Sequence, residues 1–366
     1  MIINKLKNLN FLLIFLLILI SFIGTAGLYS AADGSYDPWA LNHIVRFYIF
    51  LILAIVISII DLKLIYKYSY YIFILSLLLL FSVEIIGVFG KGATRWIKIL
   101  GFSIQPSELV KITIILALAK FYHDIKYINV RKISYLFFPF LILFVPFIFV
   151  IIQPDLGTAL SIIILGIFIL FLAGIKLWKF LLGFIISIIS IPVVFEFIKP
   201  YQKSRIISFL NPESDPLGQG YQLIQSKIAL GSGGITGKGF LKGTQSYLEF
   251  LPEKQTDFIF TLIGEEFGFF GSIFIILLFV MLISVCYFIS IKCFHVYGKL
   301  IALGVASNLF IYVFMNIAMV SGLMPVVGIP LPLISYGGSV MLSIMISIGL
   351  ILNVELNYNY KKLEYA

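Results

Sequence analysis

The sequence predicts an all-α integral membrane protein of about ten transmembrane helices, with a long structured extracytoplasmic loop between the seventh and eighth. Three observations carry this. The 366-residue chain is 61% hydrophobic and only 12% charged, with a mean hydropathy of +1.10, whereas soluble domains are about 25% charged. Its apolar residues fall into runs of spanning length. Its basic residues gather on one side of those runs.

The runs lie near 10–28, 44–60, 69–88, 106–121, 136–152, 157–174, 180–198, 266–291, 300–321 and 338–354. An even number returns both termini to one side. With the N-terminus inside, the inner segments hold Lys5, Lys7, Lys63, Lys67, Lys120, Lys126, Arg131, Lys132, Lys176, Lys179, Lys292, Lys299, Lys361 and Lys362. That is 14 of the 26 Lys and Arg residues. The short outer connections hold only Lys91, Arg95 and Lys98. This bias orients the chain in a cytoplasmic membrane with both termini cytoplasmic. It also accounts for the net charge of +9 with the lipid bilayer, not nucleic acid, as partner. The first run ends near a passable cleavage region, Ser30-Ala31-Ala32, but its length favours a retained signal anchor. No internal repeat or second domain interrupts residues 1–366.

One connection is long. Residues 199–265 are rich in Gly, polar groups and both charge signs, and loops of this length are either functional or disordered. Tyr221, Ile224 and Ile228 recur at helical spacing, with Gly231 as C-cap. Arg205 to Leu210 has the pattern of an interfacial piece.

Ionisable residues within spans cost about 2.5–3.5 kcal/mol each at a helix centre, so each needs a reason. They are Arg46, Glu84, Glu108, Lys111 and Glu196, and all fall in the outer part of their runs. Arg46 and Glu196, near helix ends, are equally well explained by snorkelling. Glu108 and Lys111 share a helix face and can pair. With Glu84 they predict a polar cavity open to the outer leaflet. A transporter would continue that polar path to the midplane, and this chain does not.

The outer inventory restricts the chemistry. His123 and His295 are cytoplasmic, Cys286 and Cys293 belong to one apolar segment and its end, and only His43 lies outside. Nucleophilic triads and His/Cys zinc sites are thereby disfavoured, and no metal site is predicted. Carboxylates, Lys/Arg, amides and hydroxyls remain, which suit acid–base work on sugars or phosphate recognition. The stretch from Gly231 to Gly239 fails as a P-loop, since Ser232 and Gly239 occupy required Gly and Ser/Thr positions. With Lys238 and Lys242 it is either an anion-binding nest or a flexible surface loop. On the residues alone, Glu108, Glu84 and Asp257 are comparable as the acting carboxylate.

Several motifs follow in a fixed order. They are Gly92-Ala-Thr-Arg95-Trp96-Ile97, Gln105-Pro-Ser-Glu108-Leu-Val-Lys111, Gln153-Pro-Asp155-Leu-Gly-Thr158 and Gly218-Gln-Gly-Tyr221-Gln. Then come Leu251-Pro-Glu253-Lys-Gln-Thr256-Asp257-Phe-Ile-Phe260 with Gly264-Glu265-Glu266, Pro325 to Pro332, and Ser335-Tyr-Gly-Gly338-Ser339. In these the chain resembles the SEDS family (shape, elongation, division and sporulation), polytopic peptidoglycan glycosyltransferases. Gly243-Thr-Gln245-Ser-Tyr-Leu-Glu249-Phe-Leu-Pro is similar to the RodA, or elongation, branch. Gln255 departs from the His that the family often carries there.

The resemblance implies an enzyme that polymerises lipid II into glycan strands at the outer face. It also implies a class B penicillin-binding protein as partner. Asp257 matches the family's essential acid and is the expected general base; its competing role is helix N-terminal compensation, with Thr256 or Asp257 as cap. Arg95, Arg205, Lys111 and Lys238 are the candidates for the pyrophosphate, with a divalent cation as an optional helper. Trp96 and Glu108 are expected near the substrate. Asp155 reads as an N-cap, and Glu265 and Glu266 as solvated at the interface. A lipid II flippase and a non-catalytic scaffold are the competing function classes.

Overall fold

The computed structural model describes residues 6–357 apart from 91–92, 100–101, 126–131, 133, 198–199, 216–217 and 248–249. Lys5, Lys91, Gly92, Lys126, Arg131, Glu249, Lys361 and Lys362 lie outside the described residues, as does the side chain of Glu196.

Ten long helices occupy the ten predicted runs. The first seven are α1 Phe11–Ala31, α2 Ala40–Ile59, α3 Leu62–Ile86, α4 Pro106–Asp124, α5 Phe137–Ile152, α6 Leu156–Leu172 and α7 Leu177–Phe197. Three shorter ones follow: α8 Pro200–Leu210, α9 Gln219–Ser232 and α10 Thr244–Tyr247. The last three long helices are α11 Ile259–Lys292, α12 Val296–Val320 and α13 Gly338–Leu356. Among the described residues, 7 helices are long and apolar enough to cross a membrane on length and composition alone. The exceptions are α4, which carries Glu108, Lys111, Lys120 and Asp124, and the shorter apolar stretches Leu156–Leu172 and Leu177–Ser190.

Local chemistry sets the helix starts. The side chains of Asn10, Asp155 and His295 accept from Leu13, Thr158 and Gly298 N–H groups and cap α1, α6 and α12, satisfying donors that have no intrahelical partner. Pro106 opens α4, where its missing N–H is harmless. The core is α4, α12 and α13, with 78% of the apolar windows of α12 and α13 buried. Against them pack α2 on α13, α3 on α4, and α6 and α11 on α12. Glycines let backbones approach closely: a Cβ at Gly24 would lie 2.6 Å from Leu333 O, and one at Gly157 2.5 Å from Val327 O. The described side chains of α7 from Leu177 to Ile189 are mostly exposed on every face, as expected of an all-round apolar helix in lipid.

One element lacks a helical signal. Between α3 and α4 lies a three-stranded antiparallel sheet, β1 Val88–Gly90, β2 Ala93–Ile99 and β3 Phe102–Ile104. Trp96 pairs with Val88, and Ile97 with Ile104. β1 and β3 have three residues each, too short to display a period of two, and β2 lacks strict apolar–polar alternation, so the sequence shows only a loop.

The long connection is ordered by α11. That helix begins seven residues before the predicted run because Ile259, Phe260, Leu262 and Ile263 are all buried. It is broken at Gly268, where φ is 65° and ψ −157°. The Gly-rich loop packs into the break. Lys238 and Gly239 N–H groups donate to Glu265 and Glu266 carbonyls, and Phe269 and Phe270 N–H groups to Gly234 and Ile235 carbonyls. The N–H groups of Gly233, Gly234 and Gly237 bond to carbonyls of α9 and the loop itself, and those of Lys238 and Gly239 to the kinked helix, so these donors are already engaged rather than presented as an anion nest. α9 ends two residues later than expected, with Gly233 rather than Gly231 at its C-cap. Glu265 and Glu266 are 0% and 2% exposed, the reverse of interfacial solvation. Ser30 and the Leu241 N–H donate to Glu266, and Lys238 holds Glu265.

Candidate active site

A cavity of about 780 Å³ opens at the end of the bundle where α2, α4, α6 and α13 begin. Asp257, Arg95, Trp96, Glu108 and Arg205 all line it. Residues predicted from separate motifs thus meet on one surface.

Asp257 sits in the turn before α11 and is half-buried. It is not the helix cap: Phe258 holds that position and no side chain bonds there. What fixes the aspartate is its backbone. Three successive carbonyls are each held by a donor from α12 or the loop that follows it. Tyr336 N–H donates to Gln255 O at 2.9 Å, Ser335 Oγ to Thr256 O at 2.6 Å, and Asn316 Nδ2 to Asp257 O at 2.9 Å. Asn316 Nδ2 also donates to Ile329 O at 2.7 Å. Such anchoring limits the freedom of the carboxylate. Gly328 completes the setting, with φ of 72°, and a Cβ there would lie 3.4 Å from Asp257 Oδ2. A side chain at that position would be both strained and in contact with the carboxylate.

Arg95, on β2, directs its guanidinium at the end of α5. Nε donates to Gln153 O at 3.1 Å and Nη2 to Pro154 O. It thereby satisfies carbonyls left open at a helix C-terminus. Asp155 is a cap, as expected: it accepts from Thr158 N–H at 3.2 Å and from Thr158 Oγ1 at 3.0 Å, and from Gln105 Nε2 at 2.9 Å.

Glu108 is 4% exposed and Lys111 1%, and their charges pair at 2.8 Å. The Tyr312 hydroxyl donates to Glu108 and accepts from Lys111. Glu108 reaches the cavity wall, whereas Lys111 stands behind it. A buried pair with its remaining hydrogen-bonding capacity met by hydroxyls is the form in which such charges survive burial. Lys238 does not line the cavity; its ammonium is 2.7 Å from Glu265 Oε1 and from Thr244 Oγ1. Glu84 is exposed and also lies off the cavity.

Comparison with known proteins places these features. The FtsW/RodA/SpoVE profile, described as cell cycle protein, matches residues 6–360. The chain belongs to this family. It is 42% identical over 289 residues to the peptidoglycan glycosyltransferase MrdB of Escherichia coli K12, covering 78% of this chain and 77% of that one. It is 40% identical over 287 residues to stage V sporulation protein E of Bacillus subtilis, covering 76% of each. Among solved structures, a chain of a peptidoglycan synthase complex that coordinates polymerization and crosslinking superposes with a TM-score of 0.84. The identity is 28%, over 96% of this chain and 99% of that one. Thermus thermophilus RodA superposes at 0.72 with 25% identity, over 96% and 98%.

Within this FtsW/RodA/SpoVE chain, sequence reasoning underrated one residue and passed over three. Arg46 lines the cavity beneath the Tyr336 ring, 4.9 Å from its centroid, though its position near a helix end reads equally well as snorkelling. Asn316 and Tyr312 are polar residues inside an apolar helix, and being uncharged they leave no mark in the charge pattern. Gln105 belongs to the motif that runs to Lys111, but its bond to Asp155 spans 50 residues.

Proposed function

We propose that this chain is a peptidoglycan glycosyltransferase of the RodA type, polymerising lipid II at the outer face of the bacterial cytoplasmic membrane during elongation. The observation that carries it is the held aspartate: Asp257 lines a cavity shared with Arg46, Arg95 and Arg205, in a family whose relatives bear that enzyme name. In the reaction an acceptor hydroxyl attacks the anomeric carbon of the donor. The bond from that carbon to the undecaprenyl diphosphate oxygen breaks, and the diphosphate leaves with the electron pair. The hydroxyl proton passes to the Asp257 carboxylate, a general base. The transition state is oxocarbenium-like, and the leaving group needs charge stabilisation more than a proton.

Trp96 and Glu108 belong to the same wall and are proposed substrate contacts. Lys111 acts through Glu108, and Lys238 through the loop that covers α11. A divalent cation would require one or two carboxylates together with the substrate diphosphate, and Asp257 supplies one. The class B penicillin-binding protein partner draws support from the likeness to a synthase complex. Orientation rests on charge. Lys63, Lys67, Lys120, Lys176, Lys179, Lys292 and Lys299 lie at or near the helix ends opposite the cavity, a bias that supports an outer cavity and cytoplasmic termini.

The test is reconstituted protein with its penicillin-binding partner and fluorescent lipid II. Wild type is expected to give glycan chains and Asp257→Asn at least about 100-fold less, the range for loss of a general base. An active Asp257→Asn would remove the assignment. Lipid translocation without polymer would favour a flippase.

A further inference from the structure

Arg46 has a charge that, among the described residues, no carboxylate neutralises. It lies in the second turn of α2, in an apolar bundle where an arginine needs a reason. Four other cations near this end are committed. Lys111, Lys238 and Lys254 pair with carboxylates, and Arg95 bonds two carbonyls. Arg46 is different. Among the described residues its guanidinium has the Tyr336 ring face, 4.9 Å away, and no carboxylate or carbonyl partner. A ring face offsets part of the charge but leaves the five N–H donors without strong acceptors. Leaving such donors unmet in a partly buried site is costly, so the arrangement is suited to an incoming acceptor.

The surroundings state what kind. Ile49 and Phe50 follow Arg46 by three and four residues, share its helix face and line the same cavity, with Leu342 of α13. Ile49 is 48% exposed. An anion site is therefore continuous with an apolar strip one helical turn away. Gly338 adds a steric condition: a Cβ there would come within 3.3 Å of Arg46 Nη1, so the glycine keeps space beside the guanidinium.

We propose that Arg46 is the receptor for the diphosphate of the lipid-linked donor, with the first prenyl units on Ile49 and Phe50. The inference rests on the glycosyltransferase function proposed above. The diphosphate is the donor's anion joined directly to hydrocarbon, which the adjacent apolar turn requires. The stem-peptide carboxylates are separated from it by the sugars. A planar guanidinium matches phosphate oxygens in pairs, which an ammonium does not.

Binding to the purified full chain in nanodiscs, followed by native mass spectrometry, tests this with three probes: undecaprenyl diphosphate, undecaprenyl monophosphate and undecaprenol. Arg46→Gln is expected to weaken diphosphate binding about 10- to 100-fold, the span for loss of a charge-assisted bond, and to leave undecaprenol binding unchanged. Arg46→Lys, which keeps charge and volume, is expected to fall between. Equal diphosphate affinity in wild type and Arg46→Gln would overturn the proposal, as would an equal loss for undecaprenol. Lipid II with amidated stem-peptide carboxylates separates the two anions. An Arg46→Gln KM defect that persists with this donor supports the diphosphate, and one that vanishes overturns it. Failure of the function is distinct: wild type would then bind the diphosphate through Arg46 yet make no glycan.

Discussion

Replacing Lys111 with methionine removes one half of the pair behind the cavity wall. Glu108 is then left at 4% exposure without its cation at 2.8 Å. Breaking a buried pair from one side costs about 3–5 kcal/mol, and the Tyr312 and Ser343 hydroxyls that still face Glu108 place this case toward the lower end. With roughly 2.1 cal/mol/K per residue of unfolding entropy, a cooperative unit of 366 residues would lose about 4–6 °C in Tm. The second variant decides the cause. Glu108→Gln with Lys111→Met removes both charges, retains an amide for the Tyr312 hydroxyl, and is expected to recover more than half of the loss, because a neutral replacement of a buried pair is often nearly neutral in stability. The assay is a double-mutant cycle in thermal unfolding of purified protein in lipid-detergent micelles. A coupling below about 0.5 kcal/mol, the scatter for independent sites, would refute the view that the two charges exist for each other.

Three other substitutions, with one control, probe the supports of the site and of the loop beside it. Asn316→Leu leaves the Asp257 and Ile329 carbonyls without a donor, at about 1–3 kcal/mol each; kcat should fall at least tenfold while the lipid II KM holds, and an unchanged kcat would dismiss the positioning role. Lys238→Met strips the cation from Glu265 but leaves Thr244 and Gln245 donating to it, costing about 1.5–3 kcal/mol. Limited proteolysis of the 231–247 stretch should accelerate, whereas a raised lipid II KM would return Lys238 to the substrate site. Gly268→Ala forces a Cβ within 2.4 Å of Gly237 N at a φ of 65°, for about 1–3 kcal/mol. Gly183→Ala, where a Cβ meets nothing within 4 Å, should be neutral or stabilising, and equal losses in the two would discount the kink.

The ten helices are legible in the sequence because spanning length and apolarity are local properties. The Asp257 motif is legible for a different reason, since it survives as a contiguous string. The pairings that define the site are neither local nor contiguous. Tyr312 meets Glu108 across 204 residues, and Ser335 meets Thr256 across 79. No periodicity records such contacts. Lys238 shows the consequence: beside glycines it looks like half of a phosphate site, while its carboxylate partner lies 27 residues on in a segment whose charge suggests solvent. Arg46 was ambiguous because a cation near a helix end has an adequate explanation without any ligand, and only the position of Tyr336 tells the two apart.

The triple hold on residues 255–257 also has a bearing on biogenesis. All three donors, Asn316, Ser335 and Tyr336, follow the aspartate in the chain. Synthesis at about 5–20 residues per second puts the last of them some 4–16 seconds behind Asp257. During that interval the earlier helices can already be inserted while the acid still lacks its fixed position. The Asp257 carboxylate, the proposed general base, therefore gains its fixed position only once the second-to-last turn of α12 and the loop beyond it have docked, so an interrupted translation product carries that aspartate without the contacts that hold it.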